Sequence, residues 1–205
     1  TCWPPFQARP RSKLALFSPR LNGLFFMDHY CVFGHPIEHS KSPWIQSRFA
    51  ELTGQTLQYE KNLVPLDAFK TTVEAFKARG GKGCNVTLPF KSEAAALATH
   101  CSPRVALAQA CNTLKFEGDH IHGENTDGLG LVRDLVHNAG FSLKGRRILL
   151  IGAGGAAAGV LGPLLAEKAH SIWVANRSVD KAVQLVARHA SLAQSEGVDC
   201  QAFGL

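Results

Sequence analysis

The sequence predicts an α/β protein in two parts, an N-terminal mainly parallel α/β domain followed by an incomplete Rossmann domain, and three observations carry that prediction. From Met27 onward, short apolar runs alternate with longer helix-period segments, the pattern of βαβ units around a parallel sheet. A glycine-rich turn over 152–157 stands between the purely aliphatic run 148–151 and a helical pattern. Ala139-Gly140, a favourable helix stop, and the basic loop 143–147 separate the two parts.

Taken in order, strands are expected over 29–33, 57–64 and 83–86, with helices over 44–52 and 66–78 between them. Shorter helices over 91–98 and 103–109 follow. Segments 111–116 and 120–124 then flank Glu117-Gly118-Asp119 as a β-hairpin. A helix over 128–138 leads to the second part, read as a strand over 147–151, a helix over 156–169, a strand over 171–175, a helix over 179–190 and a ragged end. A complete doubly wound domain needs two βαβαβ halves, so the chain is expected to be cut short. The expected divisions are a substrate-binding catalytic domain over 27–128, a linking helix and loop over 129–144, and the partial nucleotide domain over 145–205.

Residues 1–26 are expected to be an extension, disordered or not native, because Met27 is the sole methionine and the first strand pattern begins two residues later. A transit peptide is the competing reading. The stretch contains arginine and no acid, but it is proline-rich and lacks an amphipathic repeat.

Composition excludes several classes. With 45% hydrophobic and 19% charged residues the chain is ordinary for a globular protein, and no apolar run approaches the roughly 20 residues of a membrane-spanning helix. The net charge of +6 resembles a nucleic-acid footprint until its position is considered. Arg9, Arg11, Lys13 and Arg20 all precede Met27 with no acid among them, which leaves a nearly neutral body suited to a small-molecule partner. The six cysteines, at 2, 31, 84, 101, 111 and 200, form no CxxC pair and no zinc spacing, so they read as reduced packing thiols of a cytoplasmic protein with no metal.

The turn Gly152-Ala153-Gly154-Gly155-Ala156-Ala157 satisfies G-x-G-x-x-A between a strand and a helix. Its glycines permit a tight turn, and the free N–H groups at the helix start suit a pyrophosphate. After the next strand stands Asn176-Arg177-Ser178, where NAD enzymes usually carry an acid for the ribose 2′-hydroxyl. An arginine with a short polar neighbour favours the 2′-phosphate of NADP. The alternative is that Arg177 is a solvated residue near the next N-cap.

In the first part, Ser40 and Ser42 lie between the first strand and the first helix, where two hydroxyls beside a helix start suit a carboxylate. Ser42 before Pro43 fits an N-cap equally well. Asn85 and Thr87 share one face of an extended segment and are able to read a polyol, and Lys91 belongs either to the same crevice or to a solvated helix face. Asn112 follows in Cys111-Asn112-Thr113, and Asp127, where a hairpin strand gives way to a helix, is most simply an N-cap.

Segments 32–43, 83–91, 110–114, 125–128 and 151–156 resemble, in order and rough spacing, five motifs of the shikimate dehydrogenases; the resemblance covers about 29–190. It implies that Ser40 and Ser42 hold the substrate carboxylate, that Asn85, Thr87, Asn112 and Asp127 bind ring hydroxyls, and that Lys91 with Asp127 is the proton-transfer pair. The implied reaction is reduction of 3-dehydroshikimate to shikimate with NADPH. A quinate/shikimate dehydrogenase of broader choice is the nearest alternative. A non-catalytic shikimate-binding paralogue is another, although Lys91 and Asp127 are both present. The expected partner is a small molecule, with no nucleic acid and no membrane, and a homodimer is left open. Two positions depart from the family, Ser178 where threonine is common and Ala157 where many relatives carry arginine or serine. The family also continues beyond what this chain contains, with a Gly-Leu-Gly-like segment and a glutamine on a helix that packs back onto the substrate domain.

Overall fold

The computed structural model describes residues 27–205, so the extension expected over 1–26 lies outside the described residues. The first part runs β1 (Asp28–Gly34), α1 (Ser42–Thr53), β2 (Leu57–Leu63), α2 (Phe69–Ala78), β3 (Gly81–Val86), α3 (Lys91–Leu97), β4 (His100–Cys101), α4 (Pro103–Ala108), β5 (Thr113–Glu117) and β6 (His120–Glu124). Its six strands are ordered β2-β1-β3-β5-β6-β4. β1 runs parallel to β2 and β3, and β4 parallel to β6, while β5 is antiparallel to both neighbours. A central parallel strand is covered on both faces, which is why Cys31, Val32 and Phe33 of β1 are all buried.

The core beneath this sheet is aromatic. Phe33 meets Phe69 and Phe76 edge-on at 6.3 and 5.7 Å, and Phe69 stacks on Phe90 at 5.0 Å. Burying each phenyl contributes about 1.5–3 kcal/mol. This cluster fastens α2 and the start of α3 to the sheet, and so fixes the chain leading into Lys91.

The second part runs α5 (Asp127–Arg133), a π turn Asp134–Asn138, β7 (Arg147–Ile151), α6 (Gly155–Ala166), β8 (Ser171–Asn176), α7 (Val179–Glu196) and β9 (Asp199–Gly204). β7, β8 and β9 form an all-parallel sheet in that order. α6 buries Leu161, Leu164 and Leu165, and its core cluster also takes in Ala108 and Ala110 from the end of α4. The core of the second part therefore reaches across to the end of α4 in the first. Among the described residues no helix is long and apolar enough to cross a membrane.

Several elements differ from their sequence expectation. The ragged end is β9, so residues 147–204 complete one βαβαβ half. α7 runs six residues past Ala190 because helix formers continue until Gly197, which closes it in the left-handed conformation at φ 68°. The helix expected over 128–138 widens after Arg133, where Ala139 N–H bonds the carbonyl of Asp134, five residues back. β4 has two residues, too few for any period to show. The hairpin loop is Gly118-Asp119, with positive φ at Gly118 alone, as in a type II′ turn.

α7 also buries His189, which is 1% exposed. Its Nδ1–H donates to the Leu185 carbonyl at 2.9 Å, and Nε2 has no hydrogen-bond partner. Burial pushes its pKa below the ordinary value, the Leu185 carbonyl opposes this, and Arg188 assists it. The folded state thus binds this proton less readily than the unfolded chain. The resulting loss of stability is absent well above pH 6.5 and grows as pH falls through the unfolded value near ~6.5. We expect the fall in Tm between pH 7.5 and pH 5.5, measured by circular dichroism, to be smaller in His189→Leu than in the wild type. An equal fall in both proteins refutes this account.

Candidate active site

Parallel strands present ligands beyond their carboxyl ends. β1 and β3 end side by side at Gly34 and Val86 and release the loops leading into α1 and α3. Gly34 is required there because a Cβ would lie 2.5 Å from Thr87 Cγ2 and 2.8 Å from Ile37 Cδ1. The absence of a side chain lets Thr87 stand at the head of the crevice.

Lys91 opens α3 and Asp127 opens α5, and their side chains meet with Nζ 2.5 Å from Oδ2. The ammonium and carboxylate are 15% and 27% exposed, so the pair is largely shielded yet reachable from the crevice. The other carboxylate oxygen, Oδ1, accepts from Asn112 Nδ2 at 2.8 Å. The N-cap expected at Asp127 is not found. Thr126 holds that position, and the Asp127 side chain turns to Lys91. Ser42 is not an N-cap either, since Lys41 precedes the helix and Ser40 Oγ accepts from the Ser42 N–H at 3.2 Å.

Asn112 is 9% exposed and its carbonyl oxygen accepts from Thr126 N–H at 3.0 Å and from the Thr113 hydroxyl at 2.9 Å. Asn85 Nδ2 donates to Thr113 Oγ1 at 3.1 Å, and Asn85 Oδ1 accepts from the Tyr59 hydroxyl at 2.6 Å. The Ser40 hydroxyl donates to Ser42 Oγ at 3.1 Å. One network therefore joins Tyr59, Asn85, Asn112, Asp127 and Lys91, and Ser40 and Ser42 form a pair of their own. Thr87 is placed beside it by packing against Gly34.

Two of its members were not singled out in the sequence. Tyr59 lies in β2 within no motif, and nothing in the period of that strand distinguishes it. Burial pushes its phenol well above the ordinary value. Asn125 is 1% exposed; its Nδ2 donates to the Ala110 carbonyl at 2.9 Å and its Oδ1 accepts from Asp127 N–H at 3.1 Å. Asn125 thus fixes the backbone that carries Asp127. An asparagine two residues before a helix-opening acid was the signal available, and a turn residue gives the same signal.

Behind the site Cys31, Cys84 and Cys111 are free and buried. Burial pushes the Cys111 thiol up to about 11 and the Cys84 thiol well above its ordinary value, so both remain unreactive packing groups. Among the described residues no group of three or more His, Cys, Asp or Glu is placed to hold a metal.

The second half of the crevice is the turn before α6. Gly152 has φ 111°, a conformation side chains rarely adopt, and open space surrounds both Gly152 and Gly154. Gly154 precedes α6 without a side-chain cap, which leaves the first N–H groups of that helix free for an anion. Ala153 and Ala156 complete a turn without bulk. A Cβ on Gly155 would lie 3.1 Å from Lys91 Cβ, so the start of α6 adjoins the Lys91 side chain. At the end of β8, Asn176 Nδ2 donates to the Ser178 carbonyl at 2.8 Å, and Arg177 and Ser178 are exposed beyond it. This chain can therefore present hydroxyls and amides, one ammonium–carboxylate pair and an anion-binding turn to a single crevice.

Comparison with known proteins agrees with this layout. Residues 32–114 match the family described as shikimate dehydrogenase substrate binding domain, and residues 134–198 the family described as shikimate / quinate 5-dehydrogenase. The shikimate dehydrogenase (NADP(+)) of Paracidovorax citrulli is 60% identical over 177 residues, which are 86% of this chain and 63% of that protein. Among solved structures, an Ael1 enzyme from Pseudomonas putida is 43% identical with a TM-score of 0.75 and covers 85% of this chain and 63% of its own. Shikimate 5-dehydrogenase from Thermus thermophilus, solved with NADP(H) and shikimate, is 31% identical with a TM-score of 0.73, covering 85% and 62%. The chain thus spans somewhat under two thirds of the length of the curated relatives it matches.

The packing of α6 on the site carries a stability consequence. A Cβ on Gly159 would lie 2.7 Å from both Asn125 Oδ1 and Nδ2. Gly159→Ala is expected to cost about 1–3 kcal/mol in urea denaturation, the usual range for overpacking. It should also move the Asn125 side-chain amide in the NMR spectrum; an unmoved Asn125 signal excludes the contact.

Proposed function

The chain belongs to the shikimate dehydrogenase family, and we propose that it catalyses the reversible reduction of 3-dehydroshikimate to shikimate with NADPH, a step of chorismate and aromatic amino-acid biosynthesis. The observation that carries this reading is the shielded Lys91–Asp127 pair, with the start of α6 packed against the lysine.

Each residue has a part in the reading. Ser40 and Ser42 hold the substrate carboxylate. Asn85, Thr87, Asn112 and Asp127 bind the ring hydroxyls. Lys91, with its ammonium hydrogen-bonded to Asp127, donates a proton to the oxygen that develops as the carbonyl becomes an alcohol, and recovers one in the reverse direction. NADP(H), when bound, supplies the hydride. The residues present fit that cofactor: Gly152, Ala153, Gly154, Gly155 and Ala156 form an open turn for the pyrophosphate, and Asn176, Arg177 and Ser178 offer donors for the 2′-phosphate. The six-stranded part then serves the substrate and the three-stranded part the cofactor.

Quinate is the second substrate to consider, favoured by the matched family's own description as shikimate / quinate 5-dehydrogenase. A cytoplasmic setting is supported by the five free cysteines among the described residues.

Absorbance of the reduced nicotinamide, followed with shikimate or quinate against NADP⁺ or NAD⁺, tests the reading; we expect turnover with shikimate and NADP⁺. Lys91→Ala should lower kcat by about 10²–10⁴ and leave KM for shikimate within a few-fold. Equal losses in both would make the lysine a binding residue. Arg177→Ala should raise KM for NADP⁺ by about tenfold, the worth of a charged hydrogen bond, and leave NAD⁺ use unchanged. Parallel losses with both cofactors would remove the 2′-phosphate role.

A further inference from the structure

We propose that Tyr59 is a positioning residue of the substrate site, the hydroxyl that ends a directional hydrogen-bond chain running from the Lys91–Asp127 pair and so fixes which way the Asn85 carboxamide faces. The inference rests on the function proposed above, and deepens it.

Direction follows from what each group is able to do. An ionised carboxylate only accepts, so Asp127 Oδ1 obliges Asn112 to present its Nδ2, at 2.8 Å, and to turn its oxygen the other way. That oxygen takes the Thr113 hydroxyl proton at 2.9 Å. Thr113 Oγ1 has then given its only proton and is left as an acceptor, so Asn85 must offer it Nδ2, as it does at 3.1 Å. The same Nδ2 lies 3.4 Å from the Asn112 carbonyl, where an oxygen would be repelled. Asn85 Oδ1 therefore faces Tyr59, and Tyr59 must donate, at 2.6 Å. Every link points from Tyr59 toward Asp127.

A carboxamide has nearly the same shape when flipped, so packing alone does not choose its orientation. In the protein the choice is made by Thr113 on one side and Tyr59 on the other. Removing the Tyr59 hydroxyl leaves Asn85 Oδ1 without its donor. Asn85 then loses its set orientation toward a ring hydroxyl, while a ligand with a carboxylate and no hydroxyls is indifferent to that loss.

The test is Tyr59→Phe, which keeps the ring and deletes one oxygen. Side-chain amide NMR signals are recorded for ¹⁵N-labelled protein, and binding is titrated with shikimate and with cyclohex-1-ene-1-carboxylate, which lacks ring hydroxyls. The expected result is a shifted Asn85 amide and an affinity for shikimate about tenfold weaker, the scale of one to two hydrogen bonds. Affinity for the hydroxyl-free acid should stay within about twofold on the same scale. Unmoved Asn85 and Asn112 signals, or equal weakening toward both ligands, overturn the proposal. If the wild type binds neither acid, the substrate reading fails, whereas the Asn85 shift still decides whether Tyr59 positions it. Thr113→Val, which keeps the side-chain shape, is the second variant: the chain requires that it too move the Asn85 signal, and an unmoved signal breaks the chain at Thr113.

Discussion

The shielded ion pair between Lys91 and Asp127 is the constraint around which the rest of the structure is arranged. Two charges taken partly out of water are tolerable only when each is held in geometry and its remaining valences are satisfied. The structure meets both demands through backbone placement. Lys91 and Asp127 are the first residues of α3 and α5, and both helix starts are tied to the same short stretch of chain: the Lys91 carbonyl accepts from Cys111 N–H at 2.8 Å, and Thr126 N–H donates to Asn112 Oδ1 at 3.0 Å. Residues 111 and 112 thereby tie both ends of the site together, which explains why Cys111 and Asn112 are both buried.

The same pair explains the glycines of α6. Gly155 faces Lys91, Gly159 faces Asn125, and a Cβ on Gly128 would meet the Gly159 carbonyl at 2.5 Å. Pro163 has no N–H to give to that carbonyl four residues back, so the oxygen is free to face α5 where the two helices touch. α6 is thus shaped by the ion pair it packs against. The helix whose start suits a pyrophosphate is the helix that presses on Lys91 and on the residue holding Asp127, which makes the two halves of the crevice mechanically one.

Much of this was legible in the sequence, and the legible parts share a property. β1, β3, β7 and β8 announce themselves by apolar runs, and the α6 turn by glycines in a strand–turn–helix context. Both signals are local. What was not legible depends on contacts between distant residues. β4 is defined only by its pairing with β6, and the π turn by one bond from Ala139 to Asp134. Asp127 was most simply an N-cap until Lys91, 36 residues earlier, was found against it. Ser42 was an equally good cap until Lys41 was found in that position, its carbonyl accepting from Ile45 N–H and Ser40 Oγ accepting from the Ser42 N–H. Tyr59 reaches Asn85 across 26 residues, and no periodicity records that.

The polar chain is also protected by where it is built. Asn85 and Thr113 are register partners on the antiparallel pair β3–β5, and Thr113 is in turn the register partner of Glu124 on β6. Their side chains meet because the sheet places them opposite one another, without dependence on a loop. Alternation along β3 puts Cys84 and Val86 into the aromatic core on one face and Asn85 into the crevice on the other. A slip of one residue would bury the carboxamide among phenyl rings and expose the core, so the apolar side of the sheet enforces the register that the polar side uses. Precision at the Lys91–Asp127 ion pair is therefore inherited from hydrophobic burial, while Ser40 and the Gly152–Gly154 turn stand on loops outside that register.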